Sequence, residues 1–176
     1  MVRIKESSIL EVNRDKLYAS YRDDFDILKK YIQDIENIKT LSIDNRSKNK
    51  KITRECKISS IIPPGLSSIL PKSVKESIMI YIDNSEWNDE LHECYFNIHS
   101  KNNSDLYSLV GRNRFVKKGR RTKLISEIDM TINVDNIPLV PLFILNPLIP
   151  VIEKFIVEKL KENFKCMTEN MSAHLA

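Results

Sequence analysis

Hydrophobic and polar residues alternate along much of this chain, and the pattern becomes helical only near the two ends. The clearest alternation lies at 122–134, where every second residue from Ile128 to Val134 is apolar. A period of two is typical of a strand with one buried face. Similar runs at 38–43, 52–58, 76–87, 92–100 and 106–116 are separated by polar turns, which predicts an antiparallel meander.

Helical spacing comes before this strand region. Residues 3–11 form a short mixed run that fits an edge strand. Asn13 is placed to cap a helix, because its side chain can accept from free backbone N–H groups. A second short helix is predicted from apolar residues three or four positions apart, which are Phe25, Leu28, Ile32 and Ile35.

One long amphipathic helix at 151–171 is the last predicted element. Asn146 is a candidate cap for this helix, and Pro147 suits a first helical turn. One side of the helix is charged and the other is apolar, as expected for a helix that covers a core. The apolar stripe consists of Ile152, Phe155, Ile156, Leu160, Phe164, Met167 and Met171.

Together these elements predict a single domain, residues 1–176, of the α+β class. A sheet with one solvated face must cover its other face, and one long C-terminal helix is the natural cover. Where a curved antiparallel sheet grips such a helix, the two layers do not meet everywhere, and a cavity remains between them. The order of elements therefore predicts a place for an apolar ligand.

Composition and charge exclude several classes of protein. The net charge of the 176 residues is only +4, which argues against a dedicated nucleic-acid binder. Cys56, Cys94 and Cys166 are far apart and odd in number, so we expect neither disulfides nor a metal site, and a cytoplasmic location fits best. No cofactor is indicated. The apolar run at 137–152 is shorter than a transmembrane helix of ~20 residues and is interrupted by prolines.

One local basic group stands out near a predicted hairpin turn at Gly119. It can contact an anionic lipid or phosphate, or it can be a solvated hairpin tip. Its members are Arg112, Arg114, Lys117, Lys118, Arg120 and Arg121.

Residues suited to catalysis do not form a recognisable set. His92 and His99 flank one predicted strand and His174 lies near the C-terminus, so a shared metal site is not expected. No Ser-His-Asp set, phosphate loop or metal-ligand spacing is present. Tyrosines in strands could orient a ligand or fill the core, and the candidates are Tyr81, Tyr95 and Tyr107.

Four segments resemble a known superfamily. These are NRDKLYASYRD at 13–23, the apolar connection at 63–71, the strand end Glu86-Trp87, and the closing segment 137–156 that leads into the last helix. On these segments the chain resembles the START-like, or Bet v 1-like, helix-grip superfamily over nearly its whole length. It departs from that pattern at Pro150 and Val151, where glycines often stand. The resemblance implies a cavity for a hydrophobic small molecule such as a lipid.

The expected cavity is lined by residues of the sheet and of the C-terminal helix, and its mouth is apolar. The lining residues are expected to be Ile80, Phe96, Ile128 and Met130 from the sheet, and Ile152, Phe155, Ile156 and Leu160 from the helix. The mouth, which could also touch an anionic membrane with help from the basic group, is expected to include Leu66, Leu70, Leu142 and Phe143.

Other interpretations of the same pattern stay open. The lining residues could instead fill a dry core. The exposed apolar segments fit a protein-interaction module, similar to a co-chaperone, equally well. An activity like that of a polyketide cyclase is an alternative through the resemblance alone. The oligomeric state is left open.

Overall fold

The fold is a seven-stranded antiparallel sheet with one long C-terminal helix, which confirms the predicted α+β helix-grip architecture. A computed structural model describes residues 1–25, 29–32, 34–59, 63, 65, 67–68, 70–133, 135 and 140–175. The strands are β1 (Val2–Leu10), β2 (Ile35–Asp44), β3 (Lys50–Ile58), β4 (Ile80–Asn88), β5 (Glu93–Ser100), β6 (Tyr107–Lys118) and β7 (Arg121–Ile132). The helices are α1 (Arg14–Asp23), α2 (Lys72–Met79), α3 (Leu142–Leu145) and α4 (Ile149–Leu175).

Strand order follows the chain from β2 to β7, and β1 then pairs with β7 at the far edge. Consecutive strands are antiparallel, as the predicted meander requires. The β6–β7 hairpin closes through a tight turn in which Gly119 has a φ of 65°. Glycine has no Cβ to oppose this left-handed conformation, so it suits the turn.

The first predicted strand and the first predicted helix are both present, although their first and last residues differ from the prediction. β1 is an edge strand, and Asn13 caps α1 by accepting from the backbone N–H groups of Asp15 and Lys16. The second predicted helix includes positions 26–28, which lie outside the described residues. Ile35 does not belong to a helical stripe, because it is the first residue of β2 and pairs with Ile58.

The run at 76–87 is not one strand, which corrects the prediction for Ile80. Its first residues form α2, where Val74 is buried and Ile78 packs beside it one helical turn later. β4 begins only at Ile80, which pairs with Lys57, and the next residue, Tyr81, pairs with the buried Cys56. Side chains alternate between faces, so Ile80 lies on the convex face of the sheet and does not line the concave face.

Asn146 does not cap the last helix, because the chain is already helical before it. α3 starts after Pro141, a single 3₁₀ turn covers Asn146–Leu148, and α4 follows without a break. Pro147 stands at the start of that 3₁₀ turn, where its missing N–H needs no acceptor.

Two separate clusters of buried residues hold α4 onto the concave face, one near each end of the helix. We call them the large core and the small core. The large core contains Leu10, Val12, Leu17, Tyr18, Tyr21, Ile52, Trp87, Cys94, Phe115, Leu124 and Met171. The small core contains Leu70, Val74, Leu106 and Leu145, with Ile149 and Ile152 packed against it.

Candidate functional site

The middle of the concave face, between the two cores, is the candidate site. Strand pairing places Phe96, Gly111, Ile128 and Ile4 side by side on neighbouring strands, in one row across the sheet. Gly111 leaves room for its neighbour, because an added Cβ would lie only 2.5 Å from the Cζ atom of Phe96. The Phe96 ring therefore lies across the strand that carries the glycine.

Large apolar side chains in this middle region keep part of their surface accessible. Phe96 and Ile128 are half-buried, although they belong to the concave face of inner strands. Phe155, Ile156 and Leu160 on α4 are also half-buried, as is Ile152, which borders this region where it packs against the small core. By contrast, Trp87 is 2% exposed at the large core. Met130 is only 1% exposed, so it belongs to the packed layer and does not border open space, contrary to its prediction.

The midsection of α4 is held over this region by ion pairs on two sides. Lys161 Nζ lies 3.7 Å from a carboxylate oxygen of Glu6 on β1. Lys159 Nζ lies 3.6 Å from a carboxylate oxygen of Asp34, just before β2 at the opposite edge of the sheet. The helix therefore spans the site between the two sheet edges.

The predicted mouth residues have different environments. Leu142 and Phe143 on α3 are 46% and 77% exposed. Leu70 is only 7% exposed and belongs to the small core, so it closes that end of the molecule, which corrects its prediction as a mouth residue. Leu66 lies outside the described residues.

A buried polar group lies on the same concave face, on β3 and β4. Arg54 is 2% exposed, and its Nη1 atom lies 3.9 Å from Oδ2 of Asp83. Ser85 donates a hydrogen bond of 2.7 Å to Oδ1 of Asp83. Burial lowers the pKa of the Arg54 guanidinium and raises the pKa of the Asp83 carboxyl. The site therefore combines an apolar middle with one charged end.

Arg54 also contacts the C-terminal end of α1. Its Nη2 atom donates to the carbonyl oxygen of Arg22 at 2.7 Å, and its guanidinium lies 4.3 Å from the centre of the Phe25 ring. Its Nε and Nη1 atoms have no hydrogen-bond partner among the residues that the structure describes. A cleft of about 250 Å³ opens here, lined by Arg22, Asp23, Phe25, Thr40, Ile43, Lys50, Ile52 and Arg54.

The three candidate tyrosines do not share a face. Tyr81 and Tyr107 point to the concave side, and burial raises the pKa of both hydroxyls. The Tyr107 hydroxyl donates to the carbonyl oxygen of Ile78 at 3.2 Å. Tyr95 is on the convex face and 46% exposed, next to Arg112.

The predicted basic group divides into two parts. Arg112 and Arg114 are paired with Glu127 on the convex face, and Arg121 is 3.5 Å from Glu11. Lys117, Lys118 and Arg120 are exposed at the hairpin tip, with no carboxylate in salt-bridge range in the described part of the chain.

This tip lies at the Leu10 end of β6 and β7, whereas α3 packs on the small core at their other end. Twelve residues of strand separate the two ends by roughly 40 Å, so the tip does not adjoin the predicted mouth residues on α3.

The architecture described above, a curved antiparallel sheet gripping one long C-terminal helix, is a helix-grip fold. This confirms the fold that the sequence resemblance implied. Neither a family model nor a curated protein matches the chain by sequence.

Solved structures with this fold match almost the whole chain. The protein TTHA0849 from Thermus thermophilus is 14% identical, with a TM-score of 0.69, and the match covers 99% of this chain and 100% of that one. The ZhuI aromatase/cyclase from Streptomyces sp. R1128 is 6% identical, with a TM-score of 0.67 and coverage of 99% and 93%. A START superfamily protein from Mycobacterium smegmatis is 11% identical, with a TM-score of 0.53 and coverage of 96% and 98%.

In the part of the chain that the structure describes, no helix has the length and hydrophobicity that crossing a bilayer demands. α4 spans 27 residues, but its outer face carries ion pairs such as Lys154 with Glu158.

Proposed function

We propose that this protein binds or transfers a hydrophobic, lipid-like small molecule between the concave face of the sheet and α4. One observation carries the proposal: apolar side chains of both layers stay half-buried in the middle of the interface, while both ends are tightly packed. A fully packed core has few voids larger than a water molecule, so accessible apolar surface between two layers favours a ligand site.

The lining of this site comes from those expected residues that stay half-buried. Phe96 and Ile128 form the floor, and Ile152, Phe155, Ile156 and Leu160 on α4 form the roof. The fold supports this arrangement by analogy, because one structure with the same fold is an aromatase/cyclase and another is a START superfamily protein. No set of catalytic side chains among the described residues favours turnover over simple binding.

Native mass spectrometry of the purified protein, with organic extraction of what it carries, tests the proposal. We expect an apolar mass bound in a stoichiometric amount, or taken up after incubation with mixed lipids. Ile156→Trp should reduce this uptake, because the larger side chain would occupy the space under α4. Val151→Trp is the matched control, since Val151 is 53% exposed on the same helix.

A protein that stays free of ligand after incubation would contradict the proposal. That result would favour a filled core and a role in binding another protein. Equal uptake by the Ile156→Trp variant would place the ligand elsewhere.

Transfer also needs contact with the source of the ligand, and α3 supplies an apolar surface for it. Phe143 is 77% exposed and Leu142 is 46% exposed, beside Pro141 and directly before the helix that roofs the site. Exposed aromatic and aliphatic side chains of this kind insert into the boundary between lipid head groups and acyl chains. The exposed cations at the tip of the β6–β7 hairpin give a separate contact with anionic lipids.

A further inference from the structure

Arg54 is a buried charged side chain of the concave face, and its burial is only partly compensated by the described residues, through the carbonyl oxygen of Arg22 and the Phe25 ring. It is 2% exposed, yet two of its nitrogen atoms have no acceptor there. Removing a guanidinium from water is costly unless acceptors replace the lost water. Its contact with Asp83, at 3.9 Å, is longer than a hydrogen bond. Nε and Nη1 of Arg54 therefore have donor capacity that no described residue uses.

Strand pairing connects Arg54 to the apolar site. Ser85 is next to Phe96 in the row that continues through Gly111 to Ile128. Arg54 and Asp83 begin the adjacent row, which continues through Ile98. Neighbouring strands are about 4.8 Å apart, so the polar group starts one strand away from the apolar floor. A molecule lying along these rows would meet an apolar surface first, then the strand that carries Asp83 and Ser85, and Arg54 at its end.

In the described part of the chain, the carboxylate within salt-bridge range of Arg54 is Asp83, at 3.9 Å, because the other carboxylates nearby pair with other cations. Asp23 is shared by Arg22 and Lys50, at 2.7 Å and 2.8 Å. Arg22 also pairs with Asp89. Asp83 is the remaining carboxylate that the structure describes on the concave face here, and the Ser85 hydroxyl already donates to one of its oxygens. Three cations therefore line the cleft together with one carboxylate, Asp23.

We propose that Arg54 binds the anionic head group, a carboxylate or a phosphate, of the hydrophobic molecule whose chain lies along Phe96 and Ile128. This inference rests on the proposed function and narrows the ligand class to amphiphilic acids. Charge-assisted hydrogen bonds from Arg to such oxyanions are among the stronger interactions that proteins make. Asp83 competes for the same guanidinium.

Three probes with the same C12 chain test the inference: dodecanoate, dodecyl phosphate and dodecanol. Each displaces the uncharged dye Nile red from the purified protein at pH 8, where both acids are ionised. We expect one or both acids to bind at least ~10-fold more tightly than the alcohol. The tighter of the two acids identifies the head group as carboxylate or phosphate.

Variants then assign the preference to Arg54. Arg54→Met should remove it by lowering the affinity for the acids to about that for dodecanol, and Arg54→Lys should keep part of it. Arg46→Met is the matched control, because Arg46 lies in the β2–β3 turn with its side chain 91% exposed. Asp83→Asn should strengthen acid binding by removing the competing carboxylate, which keeps a test available if Arg54→Met fails to fold.

The outcomes separate the two proposals. If dodecanol and the dye bind but the acids bind no more tightly, the role of Arg54 is overturned while the proposed function stands. A preference that survives in Arg54→Met, or acid affinity that does not rise in Asp83→Asn, also overturns it. If neither the dye nor any of the three probes binds, the proposed function fails, and the inference with it.

Discussion

Gly111 shows how one missing side chain shapes the floor of the site. An added Cβ would lie 2.5 Å from both Phe96 Cζ and the carbonyl oxygen of Glu127. Gly111→Ala should therefore lower the free energy of unfolding by roughly 1–3 kcal/mol, because the ring and the neighbouring strand must both move. Urea denaturation measures the change. Gly65→Ala is the control, since no atom of the described residues lies within 4 Å of its added Cβ. Equal effects of the two substitutions would contradict the packing argument.

Glu127 makes stability depend on pH through the convex face. Lys5 and Arg112 hydrogen-bond its carboxylate at 2.9 Å and 3.0 Å and lower its pKa to about 2. A lowered pKa in the folded state stabilises the protein above the ordinary value for Glu, and this contribution is lost as the pH falls toward 2. Glu127→Gln should therefore destabilise the protein at pH 7.

Urea midpoints of the wild type and of Glu127→Gln, measured from pH 7 down to pH 3, check this prediction. The gap between the two should narrow as the pH falls below about 4.5, the ordinary value for Glu. Glu158→Gln on the exposed face of α4 is the control and should change the midpoint little. A gap of constant size across this range would rule out titration of Glu127 as its source.

Residue by residue, the sequence predicted apolar positions better than polar ones. Phe96 and Ile128 lie on the concave face as expected. Arg54, Asp83 and Ser85 were missed, although Arg54 occupies the apolar phase of the run Ile52, Arg54, Cys56, Ile58. A charged residue at a position where the alternation predicts an apolar one is the sequence feature that could have revealed Arg54. The identity of its partner, Asp83, depends on the register between β3 and β4, which the sequence alone does not provide.

Among the elements, the β6–β7 hairpin and α3 are proposed to contact membranes separately, and one experiment can test each of them. Charge reversal at the tip, with Lys117→Glu, Lys118→Glu and Arg120→Glu combined, should weaken binding to anionic vesicles because the attraction to their surface is lost. Replacing Leu142 and Phe143 by serine should weaken binding to neutral vesicles as well. Vesicle sedimentation at low and high salt measures both effects.

Two controls make this comparison specific. Arg46→Glu removes an exposed cation from the β2–β3 turn, away from the hairpin tip. Leu91→Ser removes an exposed apolar side chain, 61% accessible, from the β4–β5 turn. If the tip variant sediments with anionic vesicles as strongly as the wild type does, the hairpin has no role in membrane contact.

The elements themselves were predicted where periodicity was long and unbroken. α4 was expected at 151–171 and spans Ile149–Leu175. α2 was missed because Ile78, Ile80 and Ile82 continue an alternating pattern across the boundary with β4. Val74 and Ile78, one helical turn apart after Pro71, indicated a helix instead. The helix forms because it buries Val74 in the small core.

For the whole molecule, the fold class could be predicted from the order of elements. The packing of individual interior residues could not. A curved sheet under one helix was predictable because consecutive strands pair and a single helix is left to cover them. Which residues pack and which stay accessible depends on curvature and on where α4 crosses. Met130 and Leu70 are therefore packed where exposure was expected, while Phe96 keeps accessible surface.

The pairing of β1 with β7 sets a time order for folding during synthesis. Thr122 on β7 donates its hydroxyl hydrogen bond to Val12, 110 residues earlier in the chain. At ribosomal speeds of about 5–20 residues per second, the first strand emerges roughly 5–20 s before its partner exists. Until then β1 lacks its partner strand β7, and the concave face that α1 covers is incomplete. These apolar segments stay unpaired in the nascent chain during that time, so we expect chaperones to contact β1 and α1 during translation.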